Sequence, residues 1–217
     1  EWHLEYSRHS YETGTNLIVS TSNNTKPILG VSCHYDIFGN TAGANDNASA
    51  IAVCLGILHL SLSHYFKTFQ LAIFFFDEEE YGLKGSKAYV NHYGTGRMKG
   101  LMNLEMVGQG NHFALWSCNQ HSKGVVLENF EKVCAKKGIL SQRFDKIVTN
   151  SADHLSFRKG NLEDTFSITC ILEEDIAVAS HYYKAQEFEV DKHTLLEILQ
   201  QAPLFKHYHQ TSDLSIY

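Results

Sequence analysis

No apolar run in this sequence reaches the roughly 18 residues a helix needs to cross a bilayer. Residues 1–20 are too polar for a secretory leader. Basic excess is missing as well: the 217 residues carry a formal net charge of −6, which argues against a nucleic-acid partner. There is no internal repeat, no low-complexity tract and no Pro/Gly/Ser-rich linker, so the chain reads as a single domain over residues 1–217. No C-x-x-C pair occurs among Cys33, Cys54, Cys118, Cys134 and Cys170, and their number is odd. Cys33, Cys54 and Cys170 sit in apolar segments and read as small core residues. A disulfide framework is not expected, which leans toward a reducing, cytoplasmic setting with secretion left open. The absence of a G-x-S-x-G elbow removes a serine hydrolase of the α/β type. No membrane partner is expected.

What the sequence does contain is enough for a folded core, with 43% hydrophobic and 19% charged residues. Residues 16–21, 27–35, 70–76, 101–107, 113–117, 144–148 and 166–172 read as strands. Those at 27–35 and 70–76 are too apolar on both faces to border solvent. Helices are expected over 46–63, 86–93, 123–137 and most of 177–201. Asn45-Asp46-Asn47 supplies capping chemistry to the first of them, and Gly138 stops the third. Strands alternating with helices predict an α/β three-layer sandwich, a central, mostly parallel mixed sheet with helices on both faces. Ligands in such folds bind beyond the carboxyl ends of the strands.

Chemistry-bearing residues gather at those ends. The apolar run ending at Phe76 passes straight into Asp77-Glu78-Glu79-Glu80, and burying an unpaired carboxylate there costs several kcal/mol. A cation is the expected partner. His34 and Asp36 end an earlier strand, two apart and on one face if extended. Asp46 lies in Gly43-Ala44-Asn45-Asp46-Asn47. Glu105 follows Asn103-Leu104, Asp153-His154 follows Ser151-Ala152, and His209 falls in Tyr208-His209-Gln210-Thr211-Ser212-Asp213. Each alone has a plain reading: Asp46 as a helix cap, Glu78 to Glu80 as a solvated turn, Asp153 as the cap of a short helix from His154, His209 as surface. As an ordered set, oxygen and nitrogen donors without cysteine suit a catalytic zinc site with open positions.

These clusters resemble the zinc aminopeptidases of the bacterial leucyl aminopeptidase type, whose relatives include the glutaminyl cyclases. The resemblance runs from about Asn16 to the C-terminus. It is carried most strongly by Gly43-Ala44-Asn45-Asp46-Asn47 and by Glu79-Glu80-Tyr81-Gly82-Leu83-Lys84-Gly85-Ser86. It implies a zinc-dependent exopeptidase with two zinc ions per chain, acting on peptides with a free N-terminus. It further implies Glu79 as general base, and His34, Asp46, Glu80, Glu105 and His209 as metal ligands, with Asp46 bridging. Asp36 would hold the His34 ring from behind, and Asp153 would support the site.

Two departures from the family pattern stand out. Glu105 occupies a position where the family usually has Asp, so its carboxylate reaches further by one C–C bond. That keeps open a single-zinc, glutaminyl cyclase-like acyltransferase. The last histidine also follows the last core strand late, which makes residues 173–205 a helical insertion and His181 a rival to His209. The motif context favours His209. A catalytically inactive binding relative is the remaining alternative, against which stand competent residues at every ligand position and at Glu79.

Overall fold

Strand β4 (Gln70–Phe76) is buried at all seven positions, as its unbroken apolar run predicts. Alternation along it feeds two cores. Leu71, Ile73 and Phe75 face one side with Val31, Cys33, Ala50, Cys54 and Leu58. Ala72, Phe74 and Phe76 face the other with Leu101, Phe157 and Leu162. The computed structural model describes residues 3–21, 25–64, 66–146 and 151–214. Around β4 are β1 (Leu4–Ser10), β2 (Thr15–Thr21), β3 (Ile28–His34), β5 (Met98–Leu104), β6 (His112–Trp116), β7 (Leu140–Phe144) and β8 (Thr165–Ile171).

The eight strands form one sheet in the order β1-β2-β4-β3-β5-β8-β6-β7. Pairings β4–β3, β3–β5, β5–β8 and β6–β7 are parallel, and β1–β2, β2–β4 and β8–β6 are antiparallel. Helices α1 (Ser49–Ser61) and α3 (Val125–Lys137) pack on one face, and α2 (Lys84–Tyr93) and α4 (His154–Lys159) on the other. The expected three layers are therefore present. Because β3, β4 and β5 run parallel, His34, Asp77 to Glu80 and Glu105 leave the sheet at one edge.

Several boundaries differ from the sequence reading. The strand expected at 101–107 is β5 at 98–104, so Glu105 lies just past its end, and the chain turns at Met106 with φ 50°. The strand expected at 144–148 is β7, which ends at Phe144; residues 147 and 148 lie outside the described residues. β1 was not anticipated. Its residues are polar and mostly exposed, and it exists only as an edge paired to β2. The helix expected from Asp46 starts at Ser49 instead, because Asp46 and Asn47 hold non-helical dihedrals.

Residues 173–205 fold as α5 (Glu173–Glu187), α6 (Lys192–Leu199) and a short 3-10 turn at Pro203–Phe205. Ala179, Leu199, Leu204 and Phe205 join Trp116, Phe144 and Ile171 in a third core at the β6–β7 side of the sheet. Asp175 ties its ends together: one oxygen accepts Leu172 N–H at 2.7 Å and the other Leu204 N–H at 2.9 Å. Among the described residues no helix is long and apolar enough to cross a membrane.

Candidate metal centre

His34 closes β3 and is buried, with 1% of its side chain exposed. Its Nε2 lies 3.1 Å from Asp46 Oδ1 and 3.3 Å from Glu105 Oε2. Behind the ring, Nδ1 is 3.1 Å from the Asp36 carbonyl and 3.3 Å from its carboxylate. Asp36 does more than the sequence reading assigned to it. Its two carboxylate oxygens accept the backbone N–H groups of Glu79 and Glu80, each at 3.1 Å. One side chain thus orients a histidine and the acidic pair together.

Asp46 stands between two donor sets. Its Oδ1 faces His34, while Oδ2 lies 3.8 Å from His209 Nε2. His209 Nε2 is in turn 3.0 Å from Glu80 Oε2. Gly43, at φ 61°, opens the turn that presents Asp46, and a Cβ there would meet the Asp46 carbonyl oxygen at 2.7 Å. The turn is held from the far end of the chain: the Asp213 carboxylate accepts Asn45 N–H at 2.8 Å and Asp46 N–H at 3.1 Å. Asp46 is therefore no helix cap. The His209 ring is fixed between Phe38, stacked at 3.9 Å, and Tyr208, at 3.7 Å. His181 is exposed on α5, and the histidine placed beside Asp46 and Glu80 is His209.

Glu105 reaches His34 despite its longer side chain. Both its oxygens are steered by amides the sequence reading did not assign: Asn103 Nδ2 donates at 2.8 Å and Asn47 Nδ2 at 2.9 Å. Asn103 stands two residues before Glu105, on the same side of an extended chain, which was the available signal. Asn47 and Asp213 carried no signal beyond motif membership, since both act across long sequence separations.

The electrostatics of the cluster are those of crowded buried acids. Burial and the Glu105 charge push Glu79 well above the ordinary carboxylate range. Burial raises Glu105 too. Burial, then the Glu105 charge, lift Asp153 to about 7. Burial disfavours a charged His34 ring, but Glu105, Asp36 and Asp46 outweigh it and raise the ring's pKa above the ordinary histidine value. Glu80 Oε1, His209 Nε2 and both Asp153 oxygens are buried without a hydrogen-bond partner. Asp153 stands at the N-cap position of α4, but its side chain makes no capping bond. His154 is different: it is buried between Ser117 Oγ at 3.0 Å and Ser167 Oγ at 2.7 Å, and burial lowers it to about 3. It is a neutral structural residue.

The donor set fits zinc. Ligands about 2.0–2.2 Å from one tetrahedral ion lie roughly 3.3–3.6 Å from each other. The distances from His34 Nε2 to Asp46 and Glu105, and from His209 Nε2 to Asp46 and Glu80, are 3.0–3.8 Å and so bracket that spacing. His34, Asp46 and Glu80 also each offer an atom within 4.8 Å of the others. A cation would give the orphaned Glu80 and His209 atoms their partner.

The chain is 26% identical over 158 residues, 70% of its length, to a vacuolar membrane protease of Candida tropicalis, and it spans 17% of that protein. The Candida glabrata vacuolar membrane protease is 35% identical over 114 residues, with 12% of it spanned. The chain thus spans less than a fifth of the curated relatives it matches. Among solved structures, a zinc aminopeptidase from Bacillus subtilis superposes with a TM-score of 0.62 at 26% identity, covering 71% of this chain and 39% of that one. A glutaminyl cyclase from Porphyromonas gingivalis shares the fold, with a TM-score of 0.67 at 16% identity, covering 98% of this chain and 75% of that one. The relatives' names overturn the expected cytoplasmic setting, which rested on cysteine count and a polar start alone. The model of peptidase family M28 matches residues 16–215, and the chain belongs to that family.

Proposed function

We propose that this chain is the catalytic part of a zinc-dependent aminopeptidase, hydrolysing the first peptide bond of substrates with a free N-terminus. One observation carries the reading: a single carboxylate, Asp46, faces His34 with one oxygen and His209 with the other, with Glu105 and Glu80 completing the two sets. His34, Asp46 and Glu105 would hold one zinc ion, and Asp46, Glu80 and His209 would hold a second. Bound zinc supplies Lewis acidity toward a carbonyl and acidifies water.

The chain's own residues do the rest. Glu79, beside the ligands and raised in pKa, takes a proton from the attacking water and returns it to the leaving amine. Asp36 fixes its backbone, and so its aim, through the Glu79 N–H. Acids around the second set attract a substrate α-ammonium group, which favours cleavage next to a free N-terminus. Retention of all five candidate ligands and Glu79 supports catalysis over a binding-only role. The curated relatives' names support a vacuolar membrane setting.

The test is Glu79→Gln in the full-length protein, with aminoacyl-nitroanilide substrates and zinc content measured together. The expected result is unchanged zinc with hydrolysis down about 10²–10⁴-fold. Chelation should abolish wild-type activity and added zinc restore it. Near-normal turnover by the variant, or full activity in metal-free protein, removes this assignment.

A further inference from the structure

The two histidines of the candidate centre are held in different ways. Behind the His34 ring, Nδ1 has the Asp36 carbonyl at 3.1 Å and the Asp36 carboxylate at 3.3 Å, so a polar partner fixes the rotation of that ring. A ligating histidine almost always has such a partner on its other nitrogen. His209 is an exception. Its polar neighbours, Asp46 and Glu80, both face Nε2, and no protein group among the described residues accepts a hydrogen bond from Nδ1.

Flat aromatic surface holds the His209 ring instead. The Phe38 ring lies 6° from parallel to it at a centroid distance of 3.9 Å. Tyr208 lies against it at 3.7 Å and 22°. Two rings this close to one imidazole must take opposite faces of it. Tyr208 is the sequence neighbour, but Phe38 comes from the β3–α1 loop at the other end of the chain. Thr41 N–H bonds the Phe38 carbonyl there at 3.1 Å, and Gly39 turns the loop with φ 52°. Phe38 is 42% exposed, so it is no core residue; the ring it packs against, among the described residues, is His209.

The His209 backbone does not supply the aim by itself. It has φ 57°, uncommon for a residue with a Cβ, inside a turn closed by Gln210 N–H to the His207 carbonyl at 3.0 Å. An imidazole that gives its lone pair to a cation becomes electron-poor. The faces of Phe and Tyr carry negative charge density and attract such a ring. The stack therefore both limits rotation and favours the ligating state.

We propose that Phe38 is the positioning residue of the Asp46–Glu80–His209 set. Its ring does for His209 what Asp36 does for His34, so that of the two ions the second alone depends on an exposed aromatic side chain of the β3–α1 loop. The proposal rests on the two-ion reading above.

The experiment titrates zinc into metal-free, full-length protein against a competing chelator, with the absorption of bound cobalt as a second readout. Wild type should take up two equivalents. Phe38→Leu keeps apolar bulk but removes the flat face. It should weaken one equivalent about tenfold, the low end of the cost of losing a group that orients a ligand, and leave the other unchanged. The cobalt bands of the weakened equivalent should shift as well. Phe38→Tyr and Phe38→Trp restore a flat face and should restore affinity. In protein already carrying His209→Ala, Phe38→Leu should change nothing further, whereas in the His34→Ala background it should keep its full effect. No loss in Phe38→Leu, equal weakening of both equivalents, or the same loss in the His209→Ala background overturns the proposal and leaves the two-ion reading standing. Wild-type protein that binds a single zinc ion overturns both.

Discussion

Replacing Asp36 with asparagine isolates the device that joins His34 to the acidic pair. The wild-type carboxylate accepts Glu79 N–H and Glu80 N–H at 3.1 Å each and lies 3.3 Å from the His34 ring. Asparagine keeps one acceptor and turns a donor toward the other N–H. A hydrogen bond to a charged group contributes about 1.5–3 kcal/mol, and a neutral one about 1. Losing one charged bond and neutralising the second should cost about 2–5 kcal/mol. The site's partial exposure favours the lower end. Urea unfolding of chelated protein should then show a midpoint lowered by about 1 M at unchanged slope. Zinc affinity and kcat/KM should each fall about 10–100-fold, the usual effect of losing a group that orients a ligand.

The pH dependence follows from the sign of the shift. Burial opposes ionisation of Asp36, but the His34 ring and the two backbone N–H groups outweigh it and hold its pKa below the ordinary 3.8. Its stabilisation is thus fully present above that value and lost as pH falls through the lower folded one. The gap between wild type and variant should persist at pH 5–7 and close in strong acid. An unfolding free energy at pH 6 within about 0.5 kcal/mol of wild type, together with unchanged zinc affinity, would falsify the reasoning.

Asp153→Asn should flatten the pH dependence of the metal-free protein. Because Asp153 is raised to about 7, its contribution is present below the unfolded value of 3.8 and fades as pH rises through 7, by up to about 1.4 kcal/mol per pH unit. Identical slopes in the two proteins over pH 4–7, read by denaturant titration, count against a buried neutral Asp153. Asp213→Asn should weaken zinc binding about 10–100-fold in a competition titration, since it loosens the Asn45–Asp46 backbone without touching metal; unaltered affinity contradicts this. Gly85→Ala should lower the melting temperature by several degrees or more, because its Cβ would overlap Asn16 Oδ1 and the Asp77 carbonyl. A melting temperature within a degree of wild type shows that the loop has slack there.

The parts legible in the sequence are those that depend on one segment at a time. Every residue of Gln70–Phe76 is apolar but the first, and such a run is buried on both faces wherever it lies. Four acids directly after it mark a strand end that needs a cation. Gly138 ends α3 in the left-handed conformation as expected, at φ 68°. β1 was illegible because an exposed polar edge strand has no periodicity to read; it is a strand only because β2 offers it a partner.

By itself, the sequence determined the α/β class, the two buried central strands and the set of donor residues, because hydrophobic period and side-chain chemistry are local properties. Only the tertiary structure decided which donors share a cavity. Asp46 meets His34 and His209 across 12 and 163 positions of chain, Asp213 returns to hold the Asp46 turn, and Leu204 and Phe205 line the space beside them. Such choices follow from strand order and long-range packing, whose energies are sums over pairs of residues that no single stretch of sequence contains.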